Sequence, residues 1–198
     1  MAHPERLRNK QVFSLLMVLF PCCMQQGKQQ GNFIANKMVI SSDTALSNNN
    51  GTIYYRGLPY SGMIYFLFDD SKDTAAINNY KEGVEDGTWK KYYSGGQLKE
   101  LRTFASGKKT GKLQTWWPGG VVQSEYFFSN NEYEGTCREW NDSGLLIKEM
   151  NYRNGHEEGA QKYFYNNGKV RSNYVVINGK RYGLLGTKNC VNVKDSIF

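Results

Sequence analysis

The sequence predicts an all-β fold, a single-layer antiparallel β-meander of stacked 24-residue hairpin repeats. Three observations predict it. Glycine recurs at that interval at Gly87, Gly111, Gly135, Gly159 and Gly183. A second series, Gly96, Gly120, Gly144 and Gly168, keeps step, and so does an aromatic series, Tyr92, Trp116, Trp140 and Phe164. The composition agrees: 14% aromatic residues, 21 Gly and 4 Pro in 198 residues suit strands joined by tight turns.

The N-terminal element is a secretion signal over 1–23. Arg6, Arg8 and Lys10 precede an apolar run from Val12 to Phe20, broken only by Ser14. The run is far shorter than the ~20 residues that span a bilayer as a helix. Cys22 and Cys23 follow it directly, as in bacterial lipoprotein signals, and are the lipidation candidates. Leu19 fits that pattern, whereas Pro21 departs from the small residue expected before the modified cysteine. The expected location is the cell envelope, or the cytoplasm if the signal is not used. Residues 24–50, rich in Gln, Asn and Ser, read as a polar linker, with a short strand over Phe33 to Ile40 as the alternative within it.

The array occupies 51–190. A degraded unit at about 62–86 keeps Gly62, Ile64, Leu67, Tyr80 and Gly83 near the expected places, with Ile53 to Gly57 as its candidate partner strand. Complete units run 87–110, 111–134, 135–158 and 159–182. Within each, Trp89, Leu113, Cys137 and Gln161 stand two places after the opening glycine, and the aromatic series five places after. Leu98, Val122, Leu146 and Val170 stand eleven places after, and Phe104, Phe128, Tyr152 and Val176 seventeen. Gly95-Gly96, Gly119-Gly120, Ser143-Gly144 and Asn167-Gly168 are hairpin-turn dipeptides, because tight turns need positive φ. Gly107, Asn131, Gly155 and Gly179 mark a second turn. Between the turns lie stretches of strand length and composition, so one unit is one hairpin. A lone hairpin is marginal in water. Stacking supplies what it lacks, since burying a Trp or Tyr removes roughly 200 Å² from water, worth at most ~5 kcal/mol. The expectation is that offsets five, eleven and seventeen share the core-facing side and that the aromatics form a continuous ladder. Residues 183–198 read as a C-terminal cap, with Lys188 where the aromatic belongs.

The pattern Gly-x-Trp-x-x-Tyr-Tyr, Gly-Gly-x-Leu, then Phe-x-x-Gly-Lys-x-x-Gly at 87–111 resembles a MORN-repeat variant, of the bacterial YwqK-type antitoxin kind. The resemblance covers about 62–190. It implies a curved, twisted single sheet and protein or lipid binding, and it carries no catalytic residues.

A search for chemistry returns no catalytic, metal or cofactor site. His3 lies in the signal and His156 in a turn, so no His pair can hold a metal. Glu157-Glu158 and Asp69-Asp70 read as solvated turns. Cys137 and Cys190 are about four strands apart, or ~19 Å, beyond the ~7 Å a disulfide bridges, so no bond is expected between them. The net charge of +7 is interspersed with acids, which favours a mixed surface over a dedicated nucleic-acid patch. Lys90, Lys91, Lys108, Lys109 and Lys112 are the residues an anionic lipid or nucleic acid would use.

The functional expectation is a non-catalytic binding or scaffold module at the envelope, engaging a protein, or else a lipid or glycan. The alternative is an antitoxin or immunity protein that occludes a cognate toxin. Tyr93, Trp117, Tyr126 and Tyr165 form the candidate binding face. A membrane surface reached through the N-terminal lipid and an edge-strand homodimer are further expected associations.

Overall fold

The computed structural model describes residues 37–186. The signal with Cys22 and Cys23, residues 24–36 of the expected linker, Lys188 and Cys190 lie outside them. The spacing of Cys137 from Cys190 lies outside them too.

Seventeen strands and no helix make up the described residues. In order they are β1 (Lys37–Ile40), β2 (Leu46–Asn49), β3 (Thr52–Tyr55), β4 (Leu58–Pro59), β5 (Gly62–Leu67), β6 (Thr74–Lys81), β7 (Val84–Glu85), β8 (Gly87–Tyr92) and β9 (Leu98–Ala105). Then come β10 (Lys108–Trp116), β11 (Val122–Ser129), β12 (Glu132–Tyr133), β13 (Gly135–Trp140), β14 (Leu146–Arg153), β15 (His156–Phe164), β16 (Val170–Ile177) and β17 (Lys180–Leu184). Fourteen of them form one sheet, a meander from β5 to β17 in which β7 and β12 are short arms pairing with β6 and β11. Every pair in it is antiparallel except β1, which joins β5 in parallel.

Two features of the N-terminal end differ from the sequence expectation. Residues 37–49, within the expected linker, supply β1, which falls on the alternative strand over Phe33 to Ile40, and β2, which was not expected; Val39 is buried by alternation along β1. Ile53 to Gly57 does not pair with the degraded unit. β3 pairs with β2 and β4 in a separate three-stranded sheet, and β5 takes β1 as its outer neighbour. The cause is local. Asn50-Gly51 and Arg56-Gly57 both have positive φ at each residue, the geometry of two-residue hairpin turns, so β3 is turned back on its sequence neighbours. The small sheet then packs on the large one through Val39, Tyr55, Tyr60 and Ile64, with Leu46, Ile53, Phe66 and Tyr80 around them.

The repeat turns behave as their residues require. Gly96, Gly120, Gly144 and Gly168 take φ of 79–84°. Asn131 takes φ 76° where the other units have glycine, a conformation Asn tolerates better than most side chains. These second turns also tie the units together. The Gly107 amide donates to the Glu85 carbonyl, Asn131 to Lys109 and Gly155 to Tyr133, each in the preceding unit. Carboxylates add to this: Asp86 accepts from the Ser106 amide and Glu134 from the Asn154 amide.

A β-bulge decides which way the side chains point. In every main hairpin the register shifts beside the aromatic: between Lys91 and Tyr92, Thr115 and Trp116, Glu139 and Trp140, and Tyr163 and Phe164. Offset five then pairs with offset eleven, while offset seventeen pairs with the opening glycine on the other side of the sheet. The expected grouping of five, eleven and seventeen on one side is therefore corrected. A one-residue slip sends every side chain beyond it to the opposite face.

Candidate binding face

The two faces have different characters. On the main sheet, the buried side chains Val39, Ile64, Asn78, Phe104, Ser124, Cys137, Met150, Gln161, Ser172, Tyr174 and Val176 all fall on one face by register. This is the core face. Its N-terminal end lies under the small sheet, and a chain of ring contacts, Tyr55–Tyr60–Tyr80–Trp89–Phe104, leads from there into the first unit. Further on, Tyr133 lies over Tyr126, Phe128 and Tyr152 and closes the space around Cys137. Burial raises the Cys137 thiol above its ordinary range. The ring contacts among the described residues run through this face, and none joins Tyr92, Trp116, Trp140 or Phe164 to another ring.

Those four aromatics stand on the opposite, outer face. Each is half-buried and pairs with an aliphatic neighbour: Tyr92 with Leu98, Trp116 with Val122, Trp140 with Leu146 and Phe164 with Val170. Together they make an apolar stripe that crosses the sheet perpendicular to the strands. Beside it runs a row in continuous register, polar at every place but Leu101: Lys90, Leu101, Gln114, Glu125, Arg138, Glu149, Lys162 and Asn173. Gln114 Nε2 donates to Glu125 Oε1 at 3.1 Å, and Glu149 accepts from Arg138 Nε at 3.0 Å with Lys162 Nζ at 3.5 Å. The Arg138 hydrogen bond is the main cause that holds the Glu149 carboxyl below the usual range. Toward the C-terminal end the outer face becomes apolar and exposed, with Val170, Ile177, Tyr182 and Leu184 all at 50–55% exposure and Val175 among them.

The four residues expected to form the binding face do not assemble on this outer face. Tyr93 Oη donates to the Trp116 carbonyl at 2.8 Å, and Trp117 Nε1 donates to the Trp140 carbonyl at 3.1 Å. Both are staples between successive units. Tyr126 is on the core face with its hydroxyl on Glu139. Burial first, and that carboxylate second, raise its phenol far above the ordinary range. Trp117 and Tyr126 line one groove of about 390 Å³ with Thr115, Gln123, Ser124, Glu139, Trp140 and Ile147. Tyr165 is exposed at a turn. Sequence reasoning did not single out Phe127, Val175, Ile177, Tyr182 and Leu184, although an even-offset count already puts Phe127, Val175 and Ile177 on the side opposite offset seventeen.

Among the described residues no group of His, Cys, Asp and Glu is placed to hold a metal ion. His156 is exposed at the start of β15, and Glu157 is engaged by Arg181 at 2.9 Å and by the Tyr174 hydroxyl. No helix of the described residues is long and apolar enough to cross a membrane.

The family described as MORN repeat variant matches residues 85–105 and 157–175. The two matches start at the same point of the unit, three periods apart, and cover the hairpins β8–β9 and β15–β16. No curated protein matches the chain. Among solved structures, similar chains include a mutant of S. aureus TarM in complex with fondaparinux, α-GlcNAc-glycerol and UDP, at 14% identity and a TM-score of 0.33. A second TarM structure is similar at 15% identity and a TM-score of 0.32. Each alignment covers 56% of this chain and only 21% of the TarM chain. At these scores the likeness says nothing about function.

Proposed function

We propose that the chain is a non-catalytic, repeat-based binding module held at the cell envelope, and that the outer face of its sheet engages a macromolecular partner. One observation carries this reading. Burial on the main sheet is confined to one face, while the outer face presents an apolar stripe with an aromatic on every second strand and a cluster of exposed apolar side chains. Exposed apolar patches of that kind mark interaction surfaces on soluble proteins. Repeat arrays use such extended faces for binding. The envelope part of the reading rests on the basic N-terminus, the short apolar run and the adjacent Cys22 and Cys23.

Photo-crosslinking tests the face. A photoreactive residue placed at Phe127 or Val175 on the outer face should give adducts in cells, while one at Phe104 on the core face should give none. Adducts from Phe104 alone, or no adducts from either outer position, would count against the proposal. Fractionation after labelling with palmitate tests the envelope part: label and protein should both be in the membrane fraction, and an unlabelled cytoplasmic protein removes it.

A further inference from the structure

We infer that the aromatic stripe is a binding track for an extended β-1,4-linked polysaccharide, an assignment that rests on reading the outer face as the binding surface. Tyr92, Trp116, Trp140 and Phe164 stand on β8, β10, β13 and β15, so one aromatic occurs on every second strand of the sheet. Neighbouring strands lie ~4.8 Å apart, which spaces the rings by roughly 9.6 Å. In an extended β-1,4-linked glycan each sugar is turned over relative to the last. The same ring face therefore returns once per disaccharide, at nearly that interval. Leu98, Val122, Leu146 and Val170 fill the places between, under the sugars that present the other face.

The polar row supplies the second half of the recognition. It lies two residues along each strand from the stripe, roughly 7 Å away, within reach of the hydroxyls of a chain lying on the rings. Gln114, Glu125, Arg138, Glu149 and Asn173 in it carry planar amide, carboxylate and guanidinium groups, which bind vicinal hydroxyls in pairs. Its charges alternate, with Arg138 and Lys162 both on Glu149, and Lys112 on Glu125. A polyanion would require an unbroken cationic row, so this face suits an uncharged, hydroxyl-rich polymer better than nucleic acid or an anionic membrane. The stripe crosses seven strands without a closed pocket, which fits a polymer bound along its length.

Co-sedimentation of the full chain with insoluble cellulose, chitin and peptidoglycan tests the inference and separates the possible sources. Sedimentation with at least one is expected. The double variant Trp116→Leu and Trp140→Leu keeps apolar packing but removes two platforms, and should weaken binding by roughly tenfold or more. Asp70→Asn, at a remote exposed turn, should change nothing. Soluble tetrasaccharides, long enough to touch two rings, should compete far better than disaccharides. No sedimentation with any of the three polymers overturns the inference. So does undiminished binding by a double variant whose circular dichroism matches the parent, or equal competition by disaccharides. Retained crosslinks from Phe127 in the absence of polymer binding would overturn the glycan assignment alone and leave the outer face as a docking surface for a protein.

Discussion

Gln161 shows how a single side chain substitutes for missing sheet hydrogen bonds. It is fully buried, its Nε2 donates to the Asn151 carbonyl at 2.7 Å, and its Oε1 accepts from the Asn151 amide at 3.2 Å. The register of β14 on β15 shifts between Met150 and Tyr152, so Asn151, paired with Thr136 on β13, has no partner on β15 and the glutamine takes that place. Trp89 does the same one-sidedly three units earlier, donating from Nε1 to the Asn79 carbonyl at 2.9 Å. Gln161→Leu should cost about 1–3 kcal/mol, because it leaves two buried backbone groups unpaired while preserving volume. A urea titration measures this, and an unchanged midpoint would show that water replaces the amide. Tyr60 is a second such residue, its hydroxyl donating to the Lys37 and Met63 carbonyls. Burial, aided by the neighbouring Tyr55, raises its phenol from 10 to about 12. The folded form binds the proton more tightly than the unfolded form. This contribution to stability is therefore complete below pH 10 and is lost as the pH rises through about 12. A phenolate absorbance titration of Tyr60→Phe should lack one tyrosine that titrates near 12 in the parent.

At the scale of the element, the hairpins were legible because their turns demand particular residues. The turn residues bracket the long strands from β8 to β16, though not the short arm β12, and the Asn131 substitution was readable as a glycine equivalent. The faces were not legible. The residues flanking the bulge, Lys91-Tyr92, Thr115-Trp116, Glu139-Trp140 and Tyr163-Phe164, share no mark that announces a register shift. Counting odd and even offsets straight through it therefore exchanges the two faces on the first strand of each hairpin, while offset seventeen on the second strand stands on the core face as the count expects. The small sheet was hidden for a different reason: β2 reads Leu-Ser-Asn-Asn, with no apolar alternation, and is held by its turns. Where the two sheets meet, Gly83 occupies a position that only glycine fits. Its amide donates to the Tyr60 carbonyl and its carbonyl accepts from the Ile53 amide. A Cβ there would lie 2.8 Å from the Ile53 carbonyl oxygen, at φ +84°. Gly168 has a similar φ of +79° but open space around it. Gly168→Ala should cost roughly 1 kcal/mol through backbone strain alone. Gly83→Ala adds an overpacking penalty and should cost about 2–4 kcal/mol. Equal shifts in melting temperature for the two variants would mean that the small sheet does not depend on this contact.

The whole molecule is asymmetric along the array, and its stability should follow. Repeat arrays are held by nearest-neighbour interfaces, so each unit inherits support mainly from the one beside it. The N-terminal units have a second layer: Val39, Ile64, Tyr55 and Tyr60 are closed between the two sheets. The C-terminal units do not share it. β16 buries Ser172, Tyr174 and Val176 on the core face, yet every residue of β17 is exposed. Regions with few buried contacts open at low free-energy cost and exchange their amide hydrogens first. Hydrogen exchange should therefore show the slowest amides in β5, β6 and β8, intermediate rates in β11 to β14, and the fastest in β17. Val39→Ala, which removes about 2 kcal/mol of core packing, supplies the sharper test. If coupling fades from unit to unit, that variant will speed exchange in β5 and β6 and leave β15 and β16 near their original rates. A uniform acceleration from β5 to β16 would instead mean that the fourteen strands open as one cooperative body, in which case the inter-unit bonds from Gly107, Asn131 and Gly155 transmit stability over the full width of the sheet.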